Sequence, residues 1–175
     1  MTVSAATTWR FEELAKNHEL THFDCGIHAL NHWLNKHALG NQKQNLSRTF
    51  VAVPEKTKRV MGFSSLCPAQ IEFQSLPKGE QQGPKYPRGV IRLARLAVDR
   101  TAQGKGLGAE LLIEALLRAY RVSKEISTFG VVVDSKEGAK EFYLKYKFVP
   151  YHDESSSLFL PMRTIEQMLE TIGLK

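Results

Sequence analysis

Short apolar stretches recur along this chain, and polar turns or segments of helical spacing separate them. Stretches rich in β-branched and aromatic residues, bounded by turn-forming residues, predict β-strands. They lie at residues 8–14, 47–54, 60–73, 90–98, 129–134, 148–151 and 157–162. Apolar residues three and four positions apart predict helices. These helices cover residues 27–38, 107–120, 136–146 and a last segment from 164 to a stop at Gly173.

Strands that alternate with helices, without an internal repeat, predict an α/β fold. The chain has 175 residues, which is enough for one well-packed core and short for two. We therefore expect a single domain over residues 1–175. Residues 47–54 and 60–73 flank a charged turn and predict a β-hairpin.

Local signals predict how several segments begin and end. Asp24 is an expected N-cap for the first helix, and Gly40-Asn41 is its expected stop. Thr164 stands three residues before Gln167, which is the spacing of a capping box. Residues 41–45 read as a polar loop. Residues 76–89 are rich in Pro, Gly, Lys and Arg, which predicts an irregular, exposed and basic loop.

The most informative segment is the turn between the strand at 90–98 and the helix that follows. It reads Gln103-Gly104-Lys105-Gly106-Leu107-Gly108. Glycines allow positive φ angles and let a ligand approach the backbone, and the first amides of a helix have no intrahelical acceptor. Such a turn is a candidate pyrophosphate site. Its spacing differs from the G-x-G-x-x-G of dinucleotide-binding folds and from the mononucleotide P-loop.

The same residues resemble the Q/R-x-x-G-x-G/A motif of the GNAT (Gcn5-related) N-acetyltransferases, read as Gln103, Gly106 and Gly108. The order of strands and helices is also similar to that family. The resemblance implies a mixed, mostly antiparallel seven-stranded sheet, splayed between strands 4 and 5 and flanked by helices. It implies acetyl-CoA as co-substrate. The implied contacts are the backbone of Leu96, Ala97 and Val98, the turn residues Gln103, Gly104, Lys105, Gly106, Leu107 and Gly108, and, more weakly, Ser135 and Phe142.

A second segment, residues 139–148, resembles the A-x-x-F-Y-x-x-x-G-F pattern of the same family. In that family the tyrosine protonates the departing coenzyme thiolate, and the role falls on Tyr143 here. A phenol with a pKa near 10 stays protonated at neutral pH. The alternative is a tyrosine that only packs its ring against the sheet. Lys147 stands where the family usually has glycine, which leaves the local turn an open question.

Charge and cysteine content narrow the class of protein. The chain carries 24 Lys and Arg against 18 Asp and Glu, a net charge of +6, which favours a polyanionic partner. It has only two cysteines, Cys25 and Cys67, and no recognisable leader or membrane-spanning run, so we expect a cytoplasmic protein. His28 and His32 have metal-ligand spacing, but no third ligand stands near them in sequence, and we expect no metal.

The acceptor is expected to be an α-amine. The strand at 90–98 contains no carboxylate to act as a base, only Arg92 and Arg95. An α-amine with a pKa near 7.8 is about 30 % neutral at pH 7.4, whereas a lysine amine is only about 0.1 % neutral. The two arginines have opposite parity on the strand, so they face opposite sides unless a β-bulge intervenes. Each either grips an anion or braces the sheet in an ion pair.

The segment Phe23-Asp24-Cys25-Gly26, together with the features above, resembles the GNAT toxins of bacterial type II toxin–antitoxin modules. That resemblance implies acetylation of aminoacyl-tRNA, a homodimer, a ribbon-helix-helix antitoxin and operator DNA bound through the toxin–antitoxin complex. The candidate tRNA contacts are Lys36, Lys85, Arg88, Arg92 and Arg95. Two alternatives stay open: a GNAT enzyme acting on a small amine or a protein N-terminus, and a non-catalytic acyl-CoA-binding regulator.

Overall fold

The computed structural model describes residues 7–151 and 156–175. Seven strands form one sheet in the order β1-β2-β3-β4-β5-β7-β6. The strands are β1 Trp9–Glu13, β2 Arg48–Pro54, β3 Gly62–Ile71, β4 Arg88–Val98, β5 Gly130–Asp134, β6 Val149–Pro150 and β7 Ser157–Pro161. The predicted α/β class and the seven-stranded mixed sheet are confirmed.

The helices account for most of the remaining regular structure. They are α1 His28–Lys36, α2 Ala38–Lys43, α3 Leu107–Glu125, α4 Lys140–Leu144 and α5 Met162–Thr171, with short 3-10 turns at Phe73–Ser75, Lys78–Glu80 and Arg100–Ala102. None of the helices in the described ranges is both long enough and apolar enough to cross a membrane.

Strand pairing explains why the sheet is mixed. β2 is antiparallel to both β1 and β3, and β7 is antiparallel to both β5 and β6. The β4–β5 pair is parallel and short, because its register joins only Ile91 to Val131 and Arg92 to Val132. β4 itself continues to Val98. A short parallel contact of this kind is compatible with the expected separation of the two strands.

The Cα positions divide into two compact units, residues 1–66 with 95–114 and residues 67–94 with 115–175, called here the first and second units. In the first unit the alternation of β2 separates two apolar clusters. Val51 and Val53 pack with Trp33 and Leu34 of α1, whereas Ala52 packs with Leu107 and Leu111 of α3. Successive residues of a strand point to opposite faces, so α1 and the start of α3 cover opposite faces of the sheet.

The second unit has its own apolar cluster. Val90 of β4, Val132 of β5 and Phe159 of β7 are buried together with Ile71 and Leu76. Phe129, just before β5, stacks on Phe159 with ring centroids 6.0 Å apart. The prediction of a single domain over the whole chain stays a prediction.

The first helix begins and ends differently from the expectation. Asp24 is not its N-cap, because Ile27 occupies that position and no side chain caps it. Asp24 Oδ1 instead accepts hydrogen bonds from the Gly26 amide and from Asn31 Nδ2. The predicted stop at Gly40-Asn41 and the predicted loop at 41–45 are also wrong in part. The chain kinks at His37 and continues as α2 through Lys43, since burial of Ala38 outweighs the weak helix propensity of glycine.

Three further boundaries differ from the prediction. α5 begins at Met162 with Pro161 as its N-cap, so Thr164 lies inside the helix and caps nothing. The helix expected at 136–146 is only Lys140–Leu144. The loop at 76–89 is less irregular than predicted, because Lys78–Glu80 forms a 3-10 turn and β4 already begins at Arg88.

Candidate functional site

The glycine turn leads from β4 into α3 and is open to its surroundings. Gly104 has φ +73° and Gly106 has φ +85°, conformations that side-chain-bearing residues rarely adopt. A Cβ at either position would meet no protein atom within 4 Å. The protein therefore does not need glycine there for its own packing. What the two glycines provide is the backbone conformation and free space over the amides.

The Gln103 side chain holds this turn in place. Its Nε2 donates to the Val98 carbonyl at 2.9 Å and to the Cys25 carbonyl at 3.1 Å. Lys105 Nζ donates to the Thr101 carbonyl at 3.0 Å. Both side chains are thus bonded within the chain, and the Gln103 amide donates to the Arg100 carbonyl at 3.4 Å. The turn offers a ligand the backbone amides that follow Gln103.

The end of β4 is anchored on both faces. Leu96 and Val98 pack against the cluster that contains Leu107 and Leu111, and Ala97 belongs to the cluster on the other face. These contacts fix the backbone of Leu96, Ala97 and Val98, the stretch expected to bind the pantetheine arm. Side-chain packing here leaves only main-chain groups for recognition.

The turn fits a pyrophosphate. α3 is 19 residues long, and its first-turn amides have no intrahelical acceptor. The aligned peptide dipoles place partial positive charge at this end of the helix. Gln103, Gly104, Lys105 and Gly106 are all exposed, so an anionic ligand reaches the amides without rearrangement of the core. This is the arrangement that helix N-termini use for phosphate groups.

Tyr143, in α4 of the second unit, is a buried phenol. The residue is 6 % exposed, and its ring makes edge contacts with Phe142 and Phe148 at centroid distances of 5.1 and 5.5 Å. Burial raises the pKa of Tyr143 to about 12. Among the described residues, burial is the single cause of this shift in pKa, and no hydrogen bond to the hydroxyl contributes to it. The ring is packed among apolar side chains, as expected for a tyrosine with a purely structural role. Its hydroxyl is nevertheless protonated and can act as a proton donor.

Ser135 and Phe142, the weaker coenzyme candidates, also belong to the second unit. The Ser135 amide and hydroxyl both donate to the Ser156 carbonyl, at 2.8 and 2.9 Å. Its donors are therefore already used within the chain. Phe142 is half-buried and contacts Tyr146 as well as Tyr143. Phe142 thus contributes an aromatic surface beside the phenol.

The two arginines of β4 have different surroundings, as their parity predicts. Arg92 is ion-paired with Asp134 at the end of β5, and Asp134 also accepts a hydrogen bond from the Ser157 hydroxyl. The Arg95 guanidinium lies over the Trp33 ring of α1, 3.8 Å from its centroid. Arg92 therefore braces the second unit, whereas Arg95 is held by stacking.

The other basic candidates differ in how they are held. Lys36 and Lys85 are exposed. Arg88 instead bonds back to its own loop: Nη2 donates to the Gln82 carbonyl at 3.0 Å, and further bonds reach the Pro84 and Tyr86 carbonyls. Its guanidinium also lies over the rings of Phe73, Tyr86 and Phe129 at 5.0 to 5.4 Å. Arg88 organises the 76–89 loop, and its part in tRNA binding stays a prediction.

Two features were not anticipated from the sequence. Lys147 has φ +67°, so the chain keeps the left-handed turn for which the family pattern has glycine. The buried carboxylate of Asp99 accepts hydrogen bonds from Asp24 and Thr101.

His28 and His32 are ring neighbours at 6.0 Å, and the described residues contain no group of three ligands suited to a metal ion.

Comparisons with known proteins show the family of this chain. Residues 45–150 match the family model of the acetyltransferase (GNAT) domain. The chain is 32 % identical over 152 residues to a "tRNA-acetylating toxin" of Mycobacterium tuberculosis, covering 86 % of this chain and 90 % of that protein.

Several solved structures of toxins are also similar to this chain over most of its length. AtaT complexed with acetyl-methionyl-tRNAfMet matches with a TM-score of 0.87 and 29 % identity, over 93 % of this chain and 99 % of that one. An AtaT mutant bound to the C-terminus of the antitoxin AtaR and to acetyl-CoA matches with a TM-score of 0.79 and 26 % identity. The match covers 92 % of this chain and 98 % of that one. A KacTA–DNA complex matches with a TM-score of 0.79 and 29 % identity, and the match covers 94 % of this chain and 99 % of that one.

Proposed function

Because this chain belongs to the GNAT acetyltransferase family, we propose that it is the toxin of a type II toxin–antitoxin module. In this proposal it transfers acetyl from acetyl-CoA to the α-amine of aminoacyl-tRNA. The blocked amine can no longer form a peptide bond, so translation stops. The observation that carries the proposal is the combination of an open glycine turn with a buried phenol whose raised pKa keeps it protonated at neutral pH.

The coenzyme contacts follow from the turn and the strand before it. The amides of residues 104–108 hold the pyrophosphate, Gln103 holds the turn through its side chain, and the backbone of Leu96, Ala97 and Val98 holds the pantetheine arm. Phe142 supplies an apolar wall, and Ser135 contributes less because its donors are used by Ser156. In homologous proteins acetyl-CoA is bound, which supports the same co-substrate here.

The transfer requires one proton at the departing sulfur. The neutral amine attacks the thioester carbonyl, a carbon–nitrogen bond forms, and the carbon–sulfur bond breaks. Tyr143 donates its phenolic proton to the thiolate, the amine releases its own extra proton to solvent, and the phenolate then takes a proton back from solvent. A pKa of about 12 keeps Tyr143 protonated at neutral pH, although it also makes the phenol a weaker acid than free tyrosine. Among the described residues no hydrogen bond to this hydroxyl contributes to its pKa, so none of them competes for the proton.

The acceptor proposal rests on charge and on the missing base. β4 has no carboxylate, which suits an amine that is already partly neutral at physiological pH. Lys36 and Lys85 are exposed cations that tRNA phosphates can reach, and Arg95 stays a further candidate, with its guanidinium over the Trp33 ring. A net charge of +6 supports a polyanionic substrate.

The partners extend the same proposal. Homologues are found with an antitoxin and, in KacTA, with DNA. We infer a homodimer in the bacterial cytoplasm, neutralised by a ribbon-helix-helix antitoxin that binds operator DNA together with the toxin. A short reading frame for a ribbon-helix-helix protein next to this gene would support the arrangement. Absence of such a neighbour would argue against it. A GNAT enzyme acting on a small amine or a protein N-terminus is the alternative; a non-catalytic acyl-CoA-binding regulator is less compatible with Tyr143.

Cell-free translation tests the proposed function. We expect the protein to stop synthesis only when acetyl-CoA is present, and addition of fresh aminoacyl-tRNA to restore it. The Tyr143→Phe variant should leave synthesis intact. Inhibition that persists after removal of acetyl-CoA, or no inhibition by the wild-type protein, would contradict the toxin assignment.

A further inference from the structure

The Phe23–Gly26 segment is fastened to the junction that carries the glycine turn. The Arg100 amide donates to the Asp24 carbonyl at 2.8 Å, and the Gln103 side chain donates to the Cys25 carbonyl at 3.1 Å. Phe23 is 4 % exposed and makes an edge contact with Phe63, which roots the segment in the first-unit core. The segment is therefore bonded to the turn and anchored in the core at the same time.

Asp99 is the residue on which these bonds converge. Its Oδ2 accepts from the Asp24 amide at 3.0 Å, and its Oδ1 accepts from the Thr101 amide at 3.0 Å and the Thr101 hydroxyl at 2.7 Å. Its own amide donates to the Met61 carbonyl. One carboxylate, 3 % exposed, thus joins the segment, the end of β4 and the 3-10 turn that precedes Gln103.

The protonation of Asp99 agrees with this role. Burial alone raises the pKa of a carboxyl group, but the hydrogen bonds from Asp24 and Thr101 outweigh it and leave the pKa of Asp99 below its ordinary value. The carboxylate therefore stays ionised at neutral pH and its acceptor bonds are charge-assisted, which makes them stronger than neutral ones.

Gly26 allows the close approach that the bonds need. It has φ +90°, and a Cβ there would lie 3.3 Å from Arg100 Nε. Arg100 Nε in turn lies 3.5 Å from Asp24 Oδ2. A side chain at position 26 would strain the backbone and push Arg100 away, so this position connects the segment to the turn independently of Asp99.

We propose that Asp99, through the Phe23–Gly26 segment, is a positioning residue that holds the 103–108 turn in the conformation that receives the coenzyme pyrophosphate. The inference rests on the proposed function, since it assigns a role at the same coenzyme site. Asp99 itself touches no reacting atom. It sets the fraction of protein molecules in which the 103–108 turn has the conformation that binds the coenzyme.

The test compares Asp99→Asn with Thr101→Val. An asparagine has a single acceptor oxygen, so its amide must face either the Asp24 or the Thr101 donor and one bond is lost. Thr101→Val removes only the hydroxyl bond and keeps the link to Asp24. We expect Asp99→Asn to raise both the Kd of acetyl-CoA in calorimetry and its KM about tenfold, the loss of about one charge-assisted bond, with kcat nearly unchanged. Thr101→Val should stay close to wild type.

S-acetyl-pantetheine, which lacks the pyrophosphate, separates positioning from general damage. We expect Asp99→Asn to use this donor as well as the wild-type protein does. A merely structural defect would impair both donors. If Asp99→Asn does not fold, Gly26→Ala carries the same test, with the same expected loss of acetyl-CoA affinity.

The outcomes separate the two proposals. Failure of the wild-type protein to bind acetyl-CoA would overturn the proposed function. Wild-type binding together with an unchanged Kd in folded Asp99→Asn, or in Gly26→Ala when the first variant is unfolded, would overturn only the positioning role. Equal impairment with both donors would overturn it as well.

Discussion

Arg92 of β4 is ion-paired with Asp134 at the end of β5, next to the two residue pairs that join these parallel strands. The Asp134 carboxylate also accepts a bond from the Ser157 hydroxyl of β7 at 3.0 Å. One carboxylate therefore connects three strands of the second unit. This relationship distinguishes Arg92 from Arg95, whose guanidinium stacks on Trp33.

The two arginines should consequently respond differently to the same substitution. Arg92→Gln is expected to lower the free energy of unfolding by less than about 1 kcal/mol, because the pair is partly exposed, and to leave the KM for charged tRNA unchanged. Arg95→Gln should raise that KM several-fold through loss of a cation that can meet phosphate. Denaturant unfolding and initial-rate kinetics measure both. The reverse pattern, with KM raised only in Arg92→Gln, would contradict the assignment.

Tyr143→Phe removes the proposed proton donor and keeps the ring. We expect kcat to fall by about 100-fold or more, the usual contribution of a general acid, while the Kd of acetyl-CoA changes less than about twofold. Tyr146→Phe is the matched control, since its ring also contacts Phe142 but its hydroxyl has no proposed role. Full activity in Tyr143→Phe would remove this residue from the mechanism.

The pH dependence follows from the phenol and the amine. The rate should rise as the α-amine loses its proton, around a pKa of about 7.8 or lower. Because burial raises the pKa of Tyr143 to about 12, no alkaline decline from this residue is expected up to about pH 9.5. Initial rates must be taken before the aminoacyl ester hydrolyses. A decline between about pH 8 and 9.5 with intact ester would contradict a protonated Tyr143 as donor.

The same shift predicts a change in stability. The folded-state pKa lies above the unfolded value of about 10, so the stabilising effect of the neutral phenol is complete below that pH. It is lost as pH rises through about 12. Tyr143→Phe should therefore lose less stability than wild type over this alkaline range, which denaturant melts at a series of pH values can show.

Lys147 predicts a stabilising substitution. A left-handed conformation costs a residue with a Cβ about 1–2 kcal/mol, and glycine removes this cost while adding freedom to the unfolded chain. Lys147→Gly should raise stability by about 0.5–1 kcal/mol, or roughly 1–4 °C in Tm. Lys145→Gly is the control: Lys145 has φ −60°, and glycine there should destabilise. A lower Tm for Lys147→Gly would contradict this explanation of the turn.

The sequence was sufficient where one local signal decided the structure. Stretches rich in β-branched and aromatic residues placed all seven strands close to their observed bounds, and the glycine spacing placed the turn before α3. Parity along β4 correctly assigned Arg92 and Arg95 to different surroundings. These features depend on residues close together in the chain, and tertiary contacts reinforce them.

Local signals failed where a distant contact competed with them. Asp24 has the identity of an N-cap, but its main-chain groups bond to Asp99 and Arg100, which are remote in sequence. The 76–89 loop has an irregular composition, yet Glu80 is buried in an ion pair with Arg163 of α5. The convergence of bonds on Asp99 could not be read from spacing, because its partners come from separate segments.

The most direct test of the account is transfer of labelled acetyl from acetyl-CoA to purified tRNA. Three matched substrates suffice: aminoacylated tRNA, the same tRNA after deacylation, and aminoacyl-tRNA whose α-amine is already blocked. Release of the labelled aminoacyl group and its mass then identify the acetylated atom. We expect label on the α-amine of charged tRNA and none on the other two substrates. Label on deacylated tRNA or on protein, or no label on charged tRNA, would contradict it.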